Sequence, residues 1–177
     1  MPGIPPFDPE TGGGAAARAL RLALAPRPVR TATTAISKRA DPLLHSLTRG
    51  RAGLRLPLPF ASLVTTGARS GELRTSAVLY FSDGDDVILI ASNWGGDRHP
   101  GWYHNLRAHP RAELSRGGRS GTYTATEVTD EAEHARLFAL AELVYPGYGD
   151  YGERTASIGR RIPIMRLRSV GARSVGG

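Results

Sequence analysis

The chain has 177 residues, 40% of them hydrophobic, a formal net charge of +7 and no cysteine. This suits one domain that buries its own core, and it excludes disulfides, thiolate metal sites, iron–sulfur clusters and a cysteine nucleophile. Apolar stretches are short and broken by arginine or proline, and no unbroken apolar run follows a basic start, so the expectation is a cytoplasmic protein without a membrane span or secretory leader.

The positive charge is unevenly placed. Residues 1–56 hold nine basic and three acidic side chains, whereas residues 57–177 hold fourteen and thirteen. A basic N-terminal third therefore precedes a nearly neutral body. Residues 1–14, rich in proline and glycine, read as a flexible tail within a basic extension over 1–40 that is partly disordered or helical. A short Leu/Arg helix is predicted over 15–25, and a second from Asp41 and Pro42 to Gly50.

Strand periodicity begins near Leu54. Phe60–Thr66, Ser76–Ser82 and Asp85–Asn93 read as three strands, with Asp83-Gly84 as the hairpin signal between the second and third. Ala112–Ser115 and Tyr123–Val128 form a further pair around Gly117-Gly118, and Ile162–Leu167 a last strand. Helices are predicted over Pro100–Ala108 and, behind the capping box of Asp130 and Glu133, to about Val144. Strands do not alternate with helices, so the fold is mainly β (α+β), a split antiparallel barrel of about six strands with short flanking helices. It occupies 41–170, with a flexible tail over 171–177.

Three constellations could carry chemistry. The Gly67-Ala68-Arg69-Ser70-Gly71…Arg74 turn offers glycines that let backbone N–H groups converge on an anion, with Arg69 and Arg74 as forked donors. An exposed hairpin with two solvated arginines explains the same residues. The second, Ser92-Asn93 followed by a glycine-rich loop and Gly101-Trp102-Tyr103-His104-Asn105, suits a rim that admits a planar ring; Trp102 could equally pack the helix onto the barrel. The third is Tyr145, Tyr148 and Tyr151, phenols fit for stacking and proton donation, or for closing one barrel end. His99, His104 and His109 are five apart, which on a helix puts neighbours about 140° apart, and prolines break the run, so no metal site is expected. No nucleophile–base pair or nucleophile elbow is present.

Taken in this order and spacing, the three blocks and the closing Ile162-Pro163-Ile164-Met165 resemble the deazaflavin (coenzyme F420)-dependent nitroreductase and quinone reductase family, over about residues 55–168. The resemblance implies a split barrel that binds F420 and transfers hydride from the reduced deazaflavin to a quinone-like or other electron-poor acceptor such as a nitroaromatic. Carried over residue by residue, Ala68, Arg69, Ser70 and Arg74 match the turn that holds the cofactor's anionic groups. Ser92, Asn93, Gly101, Trp102, Tyr103, Asn105 and Tyr148 match its remaining contacts, and Tyr145 and Tyr151 the substrate side. Tyr148 or Ser92 would pass the proton. Ala68 stands where the family carries a further cation, and Leu73 and Ala77 where prolines are frequent.

FMN in place of F420, and a non-catalytic F420 carrier, are the alternative readings. Nucleic acid is not expected, because the barrel region is nearly neutral and poor in aromatics. The chain is expected to be a monomer or homodimer, and its basic N-terminal third offers peripheral contact with an anionic membrane face.

Overall fold

The computed structural model describes residues 3–11 and 58–171. The two predicted N-terminal helices and the tail beyond Gly171 lie outside those residues. Six antiparallel strands close into a barrel: β1 (Phe60–Thr66), β2 (Leu73–Asp83), β3 (Asp86–Ile90), β4 (Arg111–Arg116), β5 (Arg119–Glu127) and β6 (Ile164–Ser169). Around the barrel they run β1-β2-β3-β6-β5-β4. The expected six-stranded antiparallel barrel is therefore what the chain forms.

Alternation fills it. In β1 Ala61, Leu63 and Thr65 point inward between less buried neighbours, and Ile88, Leu89, Leu114, Ile164 and Leu167 are fully enclosed from the other strands. Among the described residues three α-helices flank the barrel: α1 (Gly101–Ala108), α2 (Glu131–Val144) and α3 (Gly147–Ala156). The capping box is partly realised, because the Asp130 carboxylate accepts the Glu133 N–H at 2.8 Å. No helix among the described residues is long and apolar enough to cross a membrane.

The feature that positions the site is a change of partner along β2. Leu73–Leu79 pairs with β1, and Tyr80–Asp83 with β3. The first half of β2 therefore keeps one edge without a strand among the described residues. Here the barrel splits, and α1, α3 and the loop after β3 gather across the gap.

Residues 3–11 correct the expectation of a flexible tail. Ile4 and Phe7 are buried in the barrel's core cluster. The Tyr80 hydroxyl donates to the Pro5 carbonyl at 2.6 Å, and the Ile4 N–H donates to the Tyr123 hydroxyl at 3.0 Å. Phe7 exchanges two bonds with Ser82, its N–H to the Oγ and its carbonyl from the Ser82 N–H. Proline and glycine make the segment look like a linker, but two apolar side chains and four hydrogen bonds offset the cost of ordering it. Phe7→Ala is expected to lower unfolding stability by about 3 kcal/mol, measured by urea denaturation; a free tail would give no change.

Candidate active site

A cavity of about 370 Å³ occupies the split. Its walls are the open edge of β2 from Thr75 to Leu79, the loop residues Ser92, Asn93 and Trp94, the start of α1 at Gly101 and Trp102, and Tyr145, Tyr148 and Tyr151. Two of the three predicted constellations thus meet in one place.

The loop after β3 is unusual in its backbone. Asn93 and Trp94 both take left-handed conformations, with φ of 48° and 57°, a costly state for residues with side chains that persists only where the surroundings enforce it. Gly95 follows at φ 67° and lies against Tyr151, where a Cβ would sit 3.0 Å from the ring. The Asn93 amide donates to the Arg98 carbonyl at 2.9 Å and closes the loop.

At the start of α1, Pro100 provides no side-chain cap and the first turn carries no acid. Nothing lies within 4 Å of where a Gly101 Cβ would be. A ligand can therefore approach the backbone there, at the positive end of a helix. Across the cavity the three tyrosines pack edge to face, Tyr145 and Tyr148 at 5.7 Å and 87°, Tyr148 and Tyr151 at 6.2 Å and 86°. The Tyr145 and Tyr151 hydroxyls are 3.4 Å apart. Burial, and after it the neighbouring Tyr145, pushes the Tyr148 phenol well above its ordinary pKa. Tyr148 therefore stays a neutral hydrogen-bond donor at working pH and cannot act as a base.

The Gly67–Arg74 turn stands outside the cavity wall, tied to it through α1. Asn105, one helical turn beyond Gly101, accepts the Ala68 N–H at 2.9 Å and donates to Thr65 Oγ1 at 3.0 Å. The turn closes on itself through Gly67 N–H to the Glu72 carbonyl and Gly71 N–H to the Gly67 carbonyl, while Ser70 Oγ accepts the Glu72 N–H. Four N–H groups of the expected anion cradle are thus already engaged, those of Gly67, Ala68, Gly71 and Glu72. The remaining donors are the Arg69 and Ser70 amides and the exposed Arg69 side chain. Arg74 is exposed too, but its guanidinium is paired with Glu72 at 2.6 Å.

Two predicted contacts thus take structural duties. Asn105 holds the turn to α1. Tyr103 is buried and absent from the cavity wall; its hydroxyl donates to Glu127 at 3.0 Å. Burial and that carboxylate raise its pKa.

Arg160 belongs to the site without any local signal in the sequence. Its guanidinium lies behind the loop and donates to the carbonyls of Ala91, Ser92 and Gly96 and to His99 Nδ1. Burial, with Arg160 next, lowers the His99 pKa and keeps the ring a neutral acceptor. These partners lie 61 to 69 residues away in the chain, so no local spacing signals them.

The F420H(2)-dependent quinone reductase family model matches residues 38–169. The chain belongs to that family. Within it, an F420H(2)-dependent quinone reductase of Mycobacterium tuberculosis is 39% identical over 124 residues, spanning 68% of this chain and 81% of that protein. Among solved structures, an F420-H2 dependent reductase (FDR-A) superposes with a TM-score of 0.56 at 31% identity, over 62% of this chain and 94% of its own. A domain-swapped dimer at 26% identity gives the same TM-score over 75% and 98%. The aromatic-walled cavity and the open helix-end backbone at Gly101 suit the flat ring and anionic part of a deazaflavin.

Proposed function

We infer that the protein is an F420-dependent oxidoreductase that reduces a quinone-type acceptor in the cavity between β2, α1 and α3. The observation that carries this is the convergence of Ser92, Asn93, Gly101 and Trp102 with Tyr145, Tyr148 and Tyr151 on one cavity in a chain of this family. When bound, the reduced deazaflavin supplies the hydride. The chain's own residues do the rest. Trp94, Trp102 and the Ser92–Asn93 wall orient the ring, and the Gly101 backbone and Arg69 hold the anionic part. Tyr145 and Tyr151 border the acceptor.

Reduction of a quinone to a quinol takes up one hydride and one proton. In this reading the Tyr148 hydroxyl at the cavity wall hydrogen-bonds the acceptor oxygen and relays a proton that solvent supplies, its raised pKa keeping it neutral before and after the transfer. Ser92, buried at the same wall, is the second donor.

The test is a binding titration of F420 against FMN, followed by anaerobic mixing of the reduced cofactor with menadione. Binding of F420 over FMN and oxidation beyond background are expected. Preference for FMN overturns the cofactor, and no oxidation makes the protein a carrier. Within that assay Arg69→Ala is expected to weaken F420 binding about tenfold, the loss of one charge-assisted contact. Arg74→Ala should cost less, because Glu72 already engages its charge. Unchanged affinity in Arg69→Ala removes the turn from the site.

The nitroaromatic acceptor, the homodimer and the peripheral membrane contact are further proposals. Sedimentation of the chain with liposomes, with and without residues 1–40, tests the last; equal pelleting eliminates it.

A further inference from the structure

We propose that Arg160 is a positioning residue for the cofactor, holding the Ala91–His99 loop in the strained shape that makes one wall of the cavity. The proposal rests on the F420 site inferred above.

Arg160 follows the end of α3. Gly159 takes φ 68°, and the Arg160 N–H returns to the Thr155 carbonyl at 2.9 Å while the Gly159 N–H reaches Ala156 at 3.0 Å. This is a glycine-terminated helix end, and it fixes the Arg160 backbone at a firm anchor, since Thr155 is itself 1% exposed. Three residues later the Pro163 carbonyl accepts the Ala91 N–H at 2.9 Å. The segment carrying Arg160 therefore runs beside the end of β3, and its side chain enters the back of the loop.

There the guanidinium uses its donors in all directions. Nη1 donates to Gly96 at 2.8 Å and Ser92 at 3.3 Å, Nη2 to Ala91 at 3.0 Å and Ser92 at 3.2 Å, and Nε to His99 Nδ1 at 3.2 Å. Five contacts match the five N–H groups of a planar fork, an arrangement a lysine cannot reproduce. The carbonyls they collect flank Asn93 and Trp94, the two left-handed residues of the loop. Without the clamp, the Ala91 and Gly96 carbonyls lose these donors, the Ser92 carbonyl is left with the Gly95 N–H at 3.0 Å, and the two residues can relax from an unfavourable backbone state. Asn93 and Trp94 face the cavity; Arg160 does not line it. Its influence on the ligand is through the loop alone.

The chain has two tryptophans, Trp94 and Trp102, so a Trp102→Phe background makes Trp94 the sole fluorescent reporter of the loop. In that background, without cofactor, Arg160→Ala is expected to shift Trp94 emission to the red and increase its quenching by acrylamide. Millimolar guanidinium, far below denaturing concentrations, should reverse both changes. With Trp102 present, F420 affinity should fall at least tenfold in Arg160→Ala and recover with guanidinium. The cofactor KM should rise while kcat at saturating cofactor stays within about twofold. Arg160→Lys should behave like the alanine variant, and it carries the same comparison if the alanine variant does not fold. A folded variant with unchanged Trp94 emission, or with wild-type F420 affinity where the wild type binds F420, overturns the proposal. Failure of the wild type to bind F420 overturns the site reading instead, and the cofactor-free fluorescence still decides whether Arg160 shapes the loop.

Discussion

Arg166→Ala is expected to destabilise the protein by about 3 kcal/mol, a fall in Tm of about 10 °C. Asp83 and Asp86 face each other directly across the β2–β3 hairpin, a like-charge pair that is unfavourable by itself. Arg166, on β6 beside β3, resolves it. One side chain only 12% exposed bonds Asp86 at 2.8 Å, Asp83 at 2.7 Å and Glu133 of α2. Removing the cation leaves three clustered carboxylates; Arg136 stays on Asp83, and Asp86 keeps only Arg168 at 3.5 Å. The cost belongs to that uncompensated charge, more than to any worth of the pairs themselves.

The same cluster sets an acid response. Arg136, and after it Arg166, holds the Asp83 carboxyl down at about 2 against the opposing effect of burial. A carboxylate with a folded pKa below its ordinary 3.8 stabilises the fold above that value, and the contribution is lost as pH falls from 3.8 through about 2. Arg166→Ala weakens the hold and moves the folded pKa back toward 3.8, so less stability is lost on acidification and the gap between wild type and variant should narrow as pH falls through 3.8 toward 2. Urea midpoints between pH 7 and 2 check both statements; parallel acid profiles would assign the cluster no role.

Much of this was readable in the sequence wherever the deciding interactions are local. The alternation of Phe60–Thr66, the Asp83-Gly84 turn and the Asp130 cap each specify an element by neighbouring residues, and each is present. Bounds drifted where pairing extends a strand beyond its apolar stretch, as in β2, which begins at Leu73 rather than Ser76. Helix α3 was not foreseen, because Gly147, Gly149 and Gly152 oppose helix formation. Packing overrides that preference. Tyr148, Tyr151 and Thr155 share the buried face, and a Cβ at Gly152 would come within 3.3 Å of the Phe138 ring, so its absence lets α2 and α3 approach.

The site divides along the same line. Ser92, Asn93, Gly101, Trp102 and the tyrosines were legible as residue types at a barrel rim, and the cavity contains them all. What the sequence could not separate is two neighbours of one kind. Arg160 gathers four acceptor groups behind the loop while Arg161 pairs with Glu131 at the surface. Arg69 is exposed and Arg74 is paired. Such differences arise only from contacts between distant parts of the chain.

The other large effect is expected from a single methyl group. Gly147→Ala should leave the barrel folded and cut acceptor reduction at least tenfold. The added Cβ would lie 2.2 Å from Tyr145 Cε1, 2.5 Å from Cζ and 2.8 Å from the hydroxyl, far inside contact distance, so the ring must move. Tyr145 is only 7% exposed, with Tyr148 against its face and Tyr151 beside it. It cannot move alone, and any displacement redraws the wall where the acceptor is placed. Overpacking of this kind costs about 1–3 kcal/mol, which leaves a domain with strand-to-strand closure folded. The loss should show mainly as a raised acceptor KM with F420 affinity less affected, because the clash falls on Tyr145, assigned to the acceptor side, and touches neither Arg69 nor Gly101. Adding Tyr145→Ala removes the clash, so the double variant should be more stable than the two single losses together allow. Wild-type stability and acceptor kinetics in Gly147→Ala would show that the ring relocates freely and that the tyrosine arrangement does not set the acceptor site.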